Sequence, residues 1–169
     1  MKMTKDFEKD TALEIQEGNR FEIFSVKAEK NITFPEGILG FENVHQYVLR
    51  LNMEVRPFII LQSVDAPELN FVCIESFGIC KDFSITLPQP CADFLELTRE
   101  EDSLVLSLVT VRPNFEEMTA NLMSPLVINL DKMRGKQVIV TNSPYPVRYN
   151  ILQGVRAMAA EIETEARAV

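Results

Sequence analysis

The chain has a single histidine, His45, in 169 residues, and three cysteines, Cys73, Cys80 and Cys91, with no Cys-x-x-Cys spacing. A Ser-His-Asp or Cys-His arrangement would hang on His45 alone, and the sequence places no nucleophile near it. Zinc sites want cysteines or histidines paired at short spacing, which this set does not supply. Each cysteine lies among apolar neighbours and reads as a small buried thiol, and His45 reads as a solvated turn residue. A reduced, cytoplasmic protein is the expectation. No apolar run approaches the roughly 20 residues of a membrane-spanning helix. The first eighteen residues lack the apolar stretch and cleavage site of a secretory signal. A Walker loop, a Rossmann fingerprint and a kinase signature are also missing.

Positive charge is short as well. Seventeen Lys and Arg stand against twenty-five Asp and Glu, for a net charge of −8. Counterion release from phosphate needs basic side chains, so direct nucleic-acid binding has the wrong sign here. An acidic surface favours basic partners instead. Carboxylates are too numerous for one catalytic pair to stand out, and Glu116 and Glu117, adjacent in sequence, would face opposite ways on a strand. Nothing in the chain reads as an enzyme, a cofactor site or a metal site.

What is present is a shaped loop. Phe34-Pro35-Glu36-Gly37-Ile38-Leu39-Gly40-Phe41-Glu42 sets two glycines three apart between two phenylalanines. Proline restricts φ and glycine reaches angles closed to other residues, so such a loop holds a definite form. Gly37 to Gly40 matches the G-x-x-G of a phosphate-approaching loop in letters only, because Glu36 and Glu42 flank it. Lys132, Arg134 and Lys136 cluster around Gly135 and read as a solvated hairpin turn.

The rest reads as short strands. Tyr47, Leu49 and Leu51 alternate with Gln46, Arg50 and Asn52, and Phe83, Ile85 and Leu87 with Asp82, Ser84 and Thr86. Phe58 to Leu61, Leu104 to Val111, Leu126 to Leu130 and Val138 to Val140 are apolar on both parities, as in strands covered on both faces or crossing a barrel core. Turn signals separate them without long helices between, which predicts an all-β, mainly antiparallel barrel-like or sandwich domain. A short helix is expected over about Cys91 to Leu97, and a C-terminal helix over residues 151–169. In the latter, Ile151, Leu152, Val155, Met158, Ala159 and Ile162 form one apolar stripe. Residues 1–18 read as a frayed or weakly helical, flexible extension, and residues 19–150 as the β domain.

Several blocks together resemble one family. Residues 34–42 are similar to the Phe-Pro-x-Gly-Ile-Pro-Gly-Phe-Glu signature of the flagellar assembly factor FliW family. Pro57 to Ser63, Leu69 to Val72, Thr119 to Asn129 and Gly135 to Ile139 resemble further family blocks, in order and at matching spacing. The likeness spans about Arg20 to Tyr149. Leu39 stands where the family usually has proline, Glu75-Ser76-Phe77 replaces an Asp-Pro-Phe-like turn, and Phe83 stands where tyrosine is common.

The resemblance implies a non-enzymatic regulator. Such proteins bind flagellin and also the RNA-binding translational repressor CsrA, and exchange between them couples flagellin level to flagellin translation. For this chain it implies flagellin and CsrA as partners, with no cofactor, no direct nucleic-acid contact and no membrane. The expected contact residues are Glu36, Ile38 and Leu39 at the loop crest, with Phe41, Glu42, Glu75, Asp82 and Asn121. Phe34, Pro35, Gly37 and Gly40 shape the loop, and Phe34 and Phe41 are expected to anchor in the core. Asn121 is also expected to satisfy backbone groups. A monomer is the expectation, since no heptad pattern appears outside the C-terminal helix.

Overall fold

A computed structural model describes residues 13–16 and 30–168. The strands are β1 (Leu13–Ile15), β2 (Ile32–Thr33), β3 (Gln46–Leu51), β4 (Ile59–Ser63), β5 (Asn70–Glu75), β6 (Ile85–Leu87), β7 (Ser103–Thr110), β8 (Thr119–Ala120), β9 (Leu126–Asn129), β10 (Arg134–Gln137) and β11 (Tyr149–Asn150). The helices are α1 (Gln89–Phe94) and α2 (Ile151–Arg167).

Seven strands close a barrel in the order β7-β5-β4-β3-β2-β10-β9, with β9 returning to β7. Every barrel pairing is antiparallel except β10 with β2, which meet at Arg134 and Thr33. The fold class read from the sequence is therefore the observed one, and the barrel is chosen over the sandwich. The long β7 makes closure work. Its residues 103–106 pair with β9, while Val109 and Thr110 pair with β8, which carries β11.

Two apolar cores follow from strand parity. Leu104 and Leu106 of β7, Leu126 and Ile128 of β9, Tyr47 and Leu49 of β3, and Ile59 and Leu61 of β4 fill the barrel interior. The alternate residues Val105, Val127 and Ile74 face outward into a second core with Phe83, Ile85, Leu87, Leu95 and Ile151. β1, β6, α1 and the start of α2 supply the cover over that face. This is why the Leu104 and Leu126 segments are apolar on both parities: both of their faces are buried.

Four local expectations are corrected. Leu13–Ile15, within the presumed frayed extension, forms a strand against β6, with Leu13 opposite Leu87 and Ile15 opposite Ile85. Ile15 is buried there, because its apolar side chain completes the outer core. The other residues of that extension lie outside the described ones. Residues 138–140 are not a strand: Val138 is buried, but Ile139 is exposed and the backbone hydrogen bonds turn to Pro125 and Met123. Arg134-Gly135-Lys136 is strand β10, and the turn precedes it at residues 131–133, where Met133 takes the positive φ of 50°. The short helix begins at Gln89, with proline in its first turn, and ends at Phe94.

Candidate functional site

The loop at residues 34–42 closes one mouth of the barrel, and its backbone is folded against itself. Phe34 N–H donates to the His45 carbonyl at 2.7 Å, and Gly37 N–H donates to the Phe34 carbonyl at 2.9 Å. The His45 ring Nδ1 lies 3.0 Å from that same Phe34 carbonyl, so the histidine is a half-buried brace rather than a solvated turn residue. Phe41 N–H donates to the Ile38 carbonyl, closing a four-residue turn with Gly40 at its third position. Gly40 has φ +87°, the positive angle a type II turn requires there. Gly37 has φ +69°, and a Cβ on it would meet the backbone of Phe41 and Glu42 at 2.6 Å. Both glycines are therefore demanded by geometry, as the sequence anticipated.

Strand β10 fastens this loop to the barrel on both of its faces. On one face, Gly135 leaves room for the Phe34 ring, and the Gln137 side chain accepts from Leu39 N–H at 3.0 Å. On the other, Lys136 pairs with Glu36. Arg134 and Lys136 also lie over the Phe94 ring, at 4.5 and 4.8 Å from its centroid, which ties α1 to the same strand. Arg134 and Lys136 of the basic cluster are thus strand side chains engaged with the loop and α1, while Lys132 is exposed in the turn before the strand, as read from the sequence. The strand's signal in the sequence was the alternation of Arg134 and Lys136 around Gly135 and Gln137, which reads equally as a turn.

Aromatic packing sets which loop residues are presented. Phe34 is fully buried, edge-on to Tyr47 at 5.4 Å between ring centroids. Burial of such a ring is worth about 2–3 kcal/mol, and the edge-on pair adds about 1 kcal/mol. Ile38 was expected at the crest and is instead buried, at 1% exposure, inside the barrel mouth. The reason is steric: the turn that begins at Ile38 sends its apolar side chain inward and carries Leu39 over the top. Leu39 is 69% exposed and Phe41 40%, the latter resting edge-on against Phe71. Glu36 and Glu42 are exposed beside them. The Glu42 carboxylate accepts from Gly40 N–H at 2.9 Å. That bond, followed by one from its own N–H, holds its pKa below the ordinary carboxylate value.

The other expected contact residues lie on other elements. Glu75 ends β5, four residues and about 13 Å along the strand from Phe71. There it lines a small cavity of about 230 Å³ with Arg56, Pro57, Ile74 and Gly78. Asp82 is exposed on the rim of a cleft of about 540 Å³ that has Phe77, Phe83 and Met158 in its wall. Asn121 is half-buried, and its side-chain oxygen accepts from Met123 N–H at 3.1 Å and Ser124 N–H at 3.0 Å. The structure therefore brings together Glu36, Leu39, Phe41 and Glu42, with Phe34, Pro35, Gly37, Ile38 and Gly40 beneath or between them. Gln137, Lys136 and Gly135 are the additional residues that hold the ridge.

The arrangement is a raised apolar crest with acidic shoulders, suited to contact with another macromolecule rather than to enclosing a small molecule. Among the described residues, no cluster of His, Cys, Asp or Glu is placed to hold a metal ion, and no helix is long and apolar enough to cross a membrane. The three thiols are unpaired. Cys73 is fully buried, and burial pushes its thiol up to about 12, far from any nucleophilic role.

Comparison with known proteins agrees with these features. A family model described as FliW protein matches residues 15–151. The flagellar assembly factor FliW of Geobacillus sp. (strain WCH70) is 44% identical over 124 residues, covering 73% of this chain and 85% of that protein. The flagellar assembly factor FliW of Bacillus subtilis (strain 168) is 33% identical over 127 residues, covering 75% and 89%. A crystal structure of the flagellar assembly factor FliW superposes with a TM-score of 0.65 at 42% identity, over 72% of this chain and 84% of that one. With more than half its length matched and with relatives this similar, the chain belongs to the FliW family of flagellar assembly factors.

Proposed function

We propose that this chain is a non-enzymatic, cytoplasmic flagellar assembly factor that works by exchanging partners, binding flagellin and, when flagellin is scarce, binding CsrA and relieving its repression of flagellin translation. The observation that carries this reading is the anchored ridge. Leu39 stands 69% exposed on a turn tied down by Gln137, with Phe41 beside it and two carboxylates flanking. A fixed apolar crest loses little conformational entropy on binding, so it is suited to docking a helical or extended protein segment. Carboxylates around it, on a chain of net charge −8, favour a basic RNA-binding protein over RNA itself.

The test is calorimetric titration with flagellin and with CsrA separately, then with each in the presence of the other. Tight binding to both, with flagellin displacing CsrA, is the expected result. Leu39→Asp should weaken binding by about tenfold or more, by loss of a central apolar anchor, while the circular dichroism spectrum and melting temperature stay those of the wild type. Binding to flagellin alone would reduce the function to a flagellin chaperone. Binding to neither would overturn the reading. RNA affinity falling steeply with salt would point to a direct RNA-binding barrel instead.

A further inference from the structure

Helix α2 carries two apolar faces, and the barrel uses only one. The docked face runs through Ile151 and Gly154, both buried, and half-buried Met158. It continues to Glu161 and Glu165, which pair with Lys81 at 3.0 and 3.5 Å. A Cβ on Gly154 would stand 2.2 Å from the Ile79 carbonyl oxygen, so the helix is pressed closely onto the domain here. The second face is rotated by about 100° and holds Leu152, Val155, Ala159, Ile162 and Ala166. Leu152 is half-buried, and the other four are exposed, with Ile162 at 65%. Of the single apolar stripe read from the sequence, the Ile151 and Met158 side is thus the one that meets the domain.

We infer that this second face is a self-association surface, on which α2 pairs antiparallel with α2 of a second copy of the chain. The spacing is the first reason. Residues 152, 155, 159, 162 and 166 alternate steps of three and four, the seam of a two-stranded coiled coil, with Leu152, Ala159 and Ala166 at one core position and Val155 and Ile162 at the other. The alanines at 159 and 166 let two such helices approach closely.

Charge selects the occupant and its direction. Arg156 and Glu163 follow the core residues Val155 and Ile162, are both exposed, and form no ion pair among the described residues. In an antiparallel pair with Ala159 packed beside Ile162 of the second copy, these flanking positions face each other. Arg156 then meets Glu163 of the second copy, and the reverse contact is made by symmetry. A parallel pair would set Glu163 against Met158 instead and make no complementary contact. The antiparallel arrangement is isologous and closes as a dimer. The family match ends at Ile151, the first residue of α2, so this surface does not rest on the function proposed above. It departs from the monomer expected from sequence.

Sedimentation equilibrium of the full chain, from low micromolar to near-millimolar concentration, tests the inference. The expected result is an average mass rising from 19.3 kDa towards twice that value. Arg156→Glu and Glu163→Arg should each weaken association by about tenfold or more, since each places like charges at both symmetric contacts. The double exchange, Arg156→Glu with Glu163→Arg, should restore it. Ile162→Lys, at an exposed position, should abolish association without lowering the melting temperature measured at the lowest concentration, where the wild type is monomeric. A wild-type mass constant at 19.3 kDa would overturn the inference and leave the face to a helix of another protein. So would a double exchange no better than either single change, or unchanged association in Ile162→Lys.

Discussion

Gly135 of β10 lies against the ring of Phe34: a Cβ on it would stand 2.5 Å from Cζ and 2.6 Å from Cε1 of that ring. The ring is fully buried, so it has no open space into which to retreat. Gly135→Ala is expected to lower stability by about 1–3 kcal/mol through overpacking, read as a lower urea midpoint. Combining it with Phe34→Leu should recover part of that loss relative to the sum of the single changes, because the two positions share one space. Strict additivity would show that the contact does not limit packing.

The two loop glycines should differ in cost. Gly40→Ala meets open space but must hold φ +87°, at about 1 kcal/mol or somewhat more. Gly37→Ala must hold φ +69° and also displace the backbone of Phe41 and Glu42. Its loss of stability should be the larger in a thermal or urea unfolding series. Equal losses would mean that the backbone yields more easily than the contacts imply.

Glu42 makes part of the loop's order depend on pH. Its folded pKa lies below the ordinary value of 4.5, first because Gly40 N–H donates to it. A lowered carboxylate pKa contributes stability above the ordinary pKa and loses that contribution as pH falls through the folded value. The Gly40 amide resonance should therefore shift with a midpoint below 4.5. In Glu42→Gln this titration should vanish, and any stability advantage of the wild type near neutral pH should disappear in acid. A midpoint at or above the ordinary value would refute the hydrogen bond.

Cys73 should resist thiol reagents in the folded protein. It is fully buried within the barrel, with its thiol pushed up to about 12, so little thiolate forms near neutral pH. Mass spectrometry after brief labelling should find Cys73 unmodified until denaturant is added, while the half-buried Cys80 and Cys91 label first. Early labelling of Cys73 would show that the barrel opens far more readily than its packing implies.

Much of the fold was legible in periodicity. Of the four doubly apolar segments, two became β7 and β9, buried inside the barrel and outside it, a third fell in β4, and residues 138–140 formed no strand, while the alternating segment around Tyr47 became β3. Both helices fell close to their expected places, because proline, asparagine and runs of helix-forming residues mark their ends locally. The errors concern where strands begin and what they pair with. Leu13–Ile15 pairs with residues seventy or more positions away, and Arg134–Gln137 is a strand because β2 and β9 flank it. The pairings of β1 with β6 and of β10 with β2 have no local signal, whereas β9 and β10 form a hairpin whose turn was placed a few residues late. In the loop, composition established that the glycines and aromatics were needed, but inward and outward side chains were not distinguished.

By itself the sequence determined the short-range properties: an acidic chain, strands with one or two apolar faces, a glycine-shaped loop, and a C-terminal helix with an apolar stripe. These depend on residue type and on neighbours a few positions away. Only the tertiary structure decided that Ile38 plugs the barrel mouth while Leu39 stands in solvent, that Phe34 occupies the space left by Gly135, that α2 buries Ile151 and Gly154, and that Lys81 pairs with its Glu161 and Glu165. Burial and ion pairing are set by whichever segments arrive from elsewhere in the chain. For adjacent residues of equal hydrophobicity, such as Ile38 and Leu39, the hydrophobic effect has no preference until the barrel supplies an inside.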